Sequence, residues 1–74
     1  MIIIESKLYD AEWMYPASQL QRVVVDKRGI RVTFLLGDST LYTYRIQGAN
    51  RGEVQRAVVC ASKGKTVRLR GVEE

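Results

Sequence analysis

Twelve Lys/Arg, eight Asp/Glu, four tyrosines, one cysteine and no histidine are the side chains of this 74-residue chain to which chemistry could be assigned. Without histidine there is no Ser-His-Asp or Cys-His nucleophile, and the commonest general acid/base is missing. The eight carboxylates are scattered, with no Asp-x-Asp spacing that would gather a divalent cation. A lone cysteine, Cys60, excludes an intrachain disulfide and a Cys-rich metal cluster. It falls beside an apolar helical stripe and reads as a structural thiol with no activating base. Lys63-Gly64-Lys65-Thr66 has the ending of a phosphate loop, but Val59 stands where the leading glycine belongs. The segment also leaves a helix, whereas a phosphate loop enters one. The expectation is a protein that is not an enzyme and holds no metal or cofactor.

Charge is the remaining chemistry, and it is uneven. Residues 1–20 carry one lysine against three acids. Residues 21–72 carry eleven Lys/Arg against three, and Glu73 and Glu74 close the chain. The basic character therefore belongs to the body of the domain. Such a body attracts polyanions within a Debye length, about 8 Å at physiological salt. Lys63, Lys65, Arg68 and Arg70 place four cations in eight residues, and Arg51 and Arg56 stand on the preceding helix. The structural alternative is a solvated surface, with Arg68 and Arg70 guarding an edge strand.

These residues need a frame. Seventy-four residues make one small domain whose composition, 46% hydrophobic, is globular. Leu20 to Asp26 reads as a strand with the β-branched run Val23-Val24-Val25. Asp26-Lys27-Arg28-Gly29 is a hairpin turn. Ile30 to Leu36 alternates, Gly37-Asp38-Ser39 turns, and Thr40 to Ile46 alternates again. Asn50 and Glu53 form a capping box ahead of a helix over Arg51 to Lys63, with Val54, Ala57, Val58 and Ala61 on one stripe. Gly64 ends it. Thr66 to Arg70 alternates as a candidate fourth strand. The fold class is α+β: an antiparallel meander of three to four strands with one helix packed on one face. Residues 1–16 read as a separate N-terminal segment, a strand at Ile2-Ile3-Ile4 and a lid carrying Trp13, Met14 and Tyr15, ahead of a domain over 17–74. Asp10 to Tyr15 is expected to begin a short helical turn. The three isoleucines are too few for a signal peptide core or a membrane span.

Tyr42 and Tyr44 share a face with Ile46, and Leu41, Thr43 and Arg45 share the other. Periodicity puts the tyrosines in the core with the helix; the rival reading is a platform on which bases stack. The open face then carries Arg31, Thr33, Leu35, Thr43 and Arg45.

From about Ala17 to Arg70 the chain resembles the KTSC family, a small domain found alone in bacterial and phage proteins and at the C-terminus of some lysyl-tRNA synthetases. The resemblance is carried by Ser18-x-Leu20, Val25-Asp26, Ile30-x-Val32-x-Phe34-x-x-Gly37, Tyr42-Thr43-Tyr44 and Ala61-Ser62-Lys63-Gly64. Two departures stand out: Ile46-Gln47-Gly48 replaces the family's Val-Pro, and Lys65-Thr66-Val67-Arg68 replaces an aromatic-Asn segment. The resemblance implies RNA binding.

The sequence thus leads to a non-catalytic, basic, cytoplasmic binding module for RNA or single-stranded nucleic acid. Arg31, Arg45, Lys63, Lys65, Arg68 and Arg70 are the phosphate contacts, with Tyr42 and Tyr44 supporting the sheet or stacking on bases. The alternatives are a protein–protein module, such as a phage factor that inhibits a host protein, with Trp13, Leu35, Leu41 and Val59 as the contact, and an oligomer that sequesters nucleotides. Leu35, Leu41 and Val59 also raise self-association as an option.

Overall fold

The two hairpins read from turn chemistry form as expected. In the computed structural model, which describes residues 1–74, β3 (Leu20–Asp26), β4 (Gly29–Leu35) and β5 (Leu41–Ile46) make an antiparallel meander. Gly29 closes the first turn at φ +117°, a region closed to most L-residues. Asp26 Oδ1 accepts the Arg28 N–H at 2.8 Å within that turn. In the second, Asp38 Oδ1 accepts the Thr40 N–H at 3.0 Å.

The helix α1 spans Arg51–Ser62. Its start is the capping box that the sequence predicts. The Asn50 side chain accepts the Glu53 N–H at 2.9 Å, and Glu53 Oε1 accepts the Asn50 N–H at 3.2 Å. Val54 and Ala61 are the stripe residues driven fully into the core. No helix is long and apolar enough to cross a membrane.

The N-terminal segment corrects the expected architecture. Residues 2–6 (β1, Ile2–Ser6) and 11–15 (β2, Ala11–Tyr15) are strands of the same sheet, and no helical turn begins at Asp10. β6 (Val67–Glu73) lies between β1 and β5, parallel to the first and antiparallel to the second. The sheet therefore has six strands in the order β2-β1-β6-β5-β4-β3, and it is mixed rather than a three- to four-stranded antiparallel meander. The fourth strand is central, so Arg68 and Arg70 do not guard an edge. The physical reason is the triplet Ile2-Ile3-Ile4: all three are buried, which requires neighbours on both sides and cover on both faces. β6 supplies one neighbour from the far end of the chain, at Ile2↔Val67 and Ile4↔Leu69.

The sheet coils almost onto itself. Tyr15 on β2 stacks on Phe34 of β4, with ring centroids 4.2 Å apart and planes 9° from parallel. Three strands separate them in the sheet, and a flat sheet would hold them about 19 Å apart. Tyr15, Phe34 and Tyr44 meet inside this trough with Ile2, Ile4 and Val32, and α1 packs over β6, β1 and a 3₁₀ turn at Ala17–Gln19. Among the six glycines, Gly71 on β6 is the one with no room for a side chain. A Cβ there would stand 2.8 Å from the Arg45 carbonyl oxygen and 3.1 Å from Ile4 Cγ2.

Candidate nucleic-acid interface

Strand register sorts the side chains into two surfaces. The outer face of the sheet carries Arg22 on β3, Arg31 and Thr33 on β4, Thr43 and Arg45 on β5, and Arg68 and Arg70 on β6. The expected arginines do share one side. The folded chain, however, brings acids to three of them. Arg31 Nη2 lies 2.5 Å from Asp26 Oδ2, and Arg45 Nε lies 3.5 Å from Glu74 Oε1. Arg68 Nη1 lies 2.6 Å from Glu5 Oε1 and 3.3 Å from Glu12 Oε1. Asp26 is held below the usual carboxylate range, first by the Arg28 N–H and also by Arg31. The Arg68 guanidinium is held above its ordinary range, first by its hydrogen bond to Glu5. Five arginines therefore face four acids, and the outer face is close to neutral. Arg22 and Arg70 are its unpaired cations. Arg31 is folded against the sheet, with its Nε buried and without a hydrogen-bond partner. Below it, Thr33 is buried and its hydroxyl meets that of Thr43 at 3.0 Å.

No local sequence signal exposes this pairing. Glu5 and Glu12 are 63 and 56 residues from Arg68. They meet it only because β1 and β2 join the sheet beside β6.

The helix side is different. Arg51 and Arg56 on α1, Lys63 at its end and Lys65 beyond are all exposed and make no ion pair. Arg56 and Lys63 are seven residues apart, two turns along one face, or about 10 Å along the axis. The one acid of the helix, Glu53, is turned back to the Asn50 N–H. Lys63 and Lys65 thus stand where a phosphate could reach them, and Arg56 joins them in place of Arg31, Arg45 and Arg68, whereas Arg51 lies about 140° round the helix, in the groove beside β3.

The tyrosines divide. Tyr44 is fully buried, 5.1 Å from Trp13 between ring centroids, and its hydroxyl bonds to that of Tyr15. Burial, then the Tyr15 hydroxyl, push its phenol well above the ordinary value of 10.0. No base can stack on it. Tyr42 is half-buried against the same core. The residues expected at a protein contact are dispersed. Leu35 and Leu41 are cross-strand neighbours on the outer face, Val59 is on the helix, and Trp13 packs on the core. No three Cys, Asp or Glu side chains gather where they could hold a metal ion.

Comparison of the chain with protein-family models, with curated proteins and with solved structures finds no match to any of them.

Proposed function

We propose that this chain is a non-catalytic basic module that binds RNA or single-stranded nucleic acid through phosphates. The contact is the exposed side of α1 and the turn after it, not the outer face of the sheet. One observation carries this reading: Arg56, Lys63 and Lys65 are exposed and unpaired, and the one acid of the helix, Glu53, is engaged in the helix cap. Phosphate contacts of this kind are sequence-independent and salt-sensitive. The resemblance to KTSC domains supports the same ligand, and of these cations Lys63 belongs to the Ala61-Ser62-Lys63-Gly64 motif and Lys65 directly follows it. The absence of histidine supports binding rather than catalysis, and a single unpaired cysteine suits a reducing cytoplasm. A protein partner is the rival reading, favoured by the exposed pair Leu35 and Leu41.

Titration of labelled single-stranded RNA at two salt concentrations decides between them. Binding that weakens steeply with salt supports the nucleic-acid reading. No binding at the lower salt overturns it.

A further inference from the structure

One edge of the sheet carries a self-complementary run of side chains. β3 is an edge strand, and its last five residues are Arg22-Val23-Val24-Val25-Asp26. This run reads as opposites about its centre: a cation two residues before Val24, an anion two residues after, and valines between. An antiparallel pair places residue i of one strand opposite residue j of the other with i and j running in reverse. Paired about Val24, two copies of this run set Arg22 against Asp26 twice, Val23 against Val25 twice, and Val24 against itself.

The backbone allows that register. The Leu36 N–H donates to the Thr40 carbonyl at 2.9 Å, which directs even-numbered β4 residues toward β5 and odd-numbered ones toward β3. Arg31 and Thr33 therefore exchange hydrogen bonds with Val24 and Arg22. By alternation, the N–H and C=O groups of Val23 and Val25 point away from the sheet. Those are the groups that Val23↔Val25 pairing between copies would use. The side chains agree. Val23 and Val25 are 39% and 48% exposed and line a groove of about 260 Å³ between β3 and α1. Arg22 has no acid partner within the chain. Edge strands are commonly guarded by proline, a lysine on the edge or an inward charge, and the centre of β3 has only valines.

We propose that two copies of this chain pair β3 to β3, antiparallel about Val24, into one continuous twelve-stranded sheet. Each Arg22 meets the partner's Asp26, which already holds Arg31. The valines of each copy roof the partner's groove. The twofold axis stands perpendicular to the sheet, so both helices lie on the same side and the two basic surfaces of α1 face one way. Self-pairing stands on β3 alone and does not depend on what those surfaces bind.

Sedimentation of the wild-type chain over a concentration series is expected to show twice the 8.4 kDa of one copy. A single copy at every concentration overturns the proposal. Arg22→Glu sets like charges together twice and is expected to weaken the dimer about tenfold. A variant as dimeric as the wild type overturns it. Asp26→Arg alone is also repulsive, but Arg22→Glu mixed with Asp26→Arg makes both cross-strand pairs opposite in sign and is expected to restore the dimer. Asp26 also holds its own turn, so the register has a second check. Val24→Cys in a Cys60→Ser background puts two thiols on a non-hydrogen-bonded pair with Cα atoms about 4.5 Å apart, within disulfide reach. Mild oxidation is expected to link the copies at Val24→Cys and not at Leu35→Cys. The reverse pattern overturns the proposal.

Discussion

The hydroxyl of Tyr15, on the edge strand β2, bonds to the hydroxyl of Tyr44, on β5, inside the core. Both residues are buried, and each hydroxyl has the other as its hydrogen-bond partner. The coil of the sheet is what brings them together, and the bond ties the N-terminal hairpin to the meander. Removing one partner leaves the other buried and unsatisfied. Tyr15→Phe or Tyr44→Phe is expected to cost about 1–3 kcal/mol, and the double variant little more than either alone. Urea denaturation of the four proteins measures the cycle; strictly additive losses would show that the two hydroxyls are not partners.

The Tyr44 phenol also makes stability depend on alkaline pH. Burial and the Tyr15 hydroxyl raise the Tyr44 phenol above 10.0, so the fold favours its neutral form. The neutral form is also the unfolded one below pH 10, so this contribution is fully present there. It is lost as pH rises above 10, where the unfolded phenol ionises and the folded one does not. Stability is expected to decline above pH 10, with phenolate absorbance from Tyr44 rising only as the fold is lost. Tyr44→Phe is expected to lose less stability across that window. Ionisation of all four tyrosines with the far-ultraviolet dichroism intact would contradict the burial.

Residues 20–62 were readable because their determinants are local. Alternation fixes the faces of β4 and β5, Asp and Gly fix the turn at 26–29, and Asn50 with Glu53 fixes the start of α1. The placement of Tyr44 in the core follows from the same alternation. Ile2-Ile3-Ile4 gives no alternation to read, because β1 is buried on both faces. Its parallel pairing with β6 joins the two ends of the chain and leaves no short-range trace. The same separation along the chain hides the acids that meet Arg68. Arg68 has strand spacing and the expected outward direction, but its acids arrive on β1 and β2. Spacing reports which way a charge points, not what meets it there.

Gly71 on β6 faces the Arg45 carbonyl of β5 with no space between them for a side chain. A Cβ at 2.8 Å from the Arg45 carbonyl meets backbone, which cannot swing aside as a side chain can. Gly71→Ala is expected to destabilise by about 1–3 kcal/mol, as overpacked cores do. Gly52→Ala is the contrasting case. It lies in the first turn of α1, where a Cβ would touch Asn50 Oδ1 at 3.4 Å and Arg56 Nη1 at 3.9 Å. Helix propensity there favours alanine by up to about 1 kcal/mol. Thermal denaturation should move in opposite directions for the two variants; a neutral Gly71→Ala would mean that β6 and β5 do not approach so closely.

The two basic surfaces can be separated by salt dependence. Each phosphate contact on a single strand contributes about 0.7 to the slope of log K against log salt. Arg56→Ala with Lys63→Ala is expected to lower that slope by about 1.4, because neither cation is engaged within the chain. Arg45→Ala with Arg68→Ala removes the same formal charge from the outer face. There the acids Glu74, Glu5 and Glu12 already hold the guanidinium groups. A phosphate would have to displace a carboxylate to reach either arginine, so little counterion release is gained and the slope is expected to stay unchanged. The two double variants carry equal net charge, so general attraction alone would lower both slopes equally. A larger loss from the outer-face pair would move the interface from α1 to the sheet.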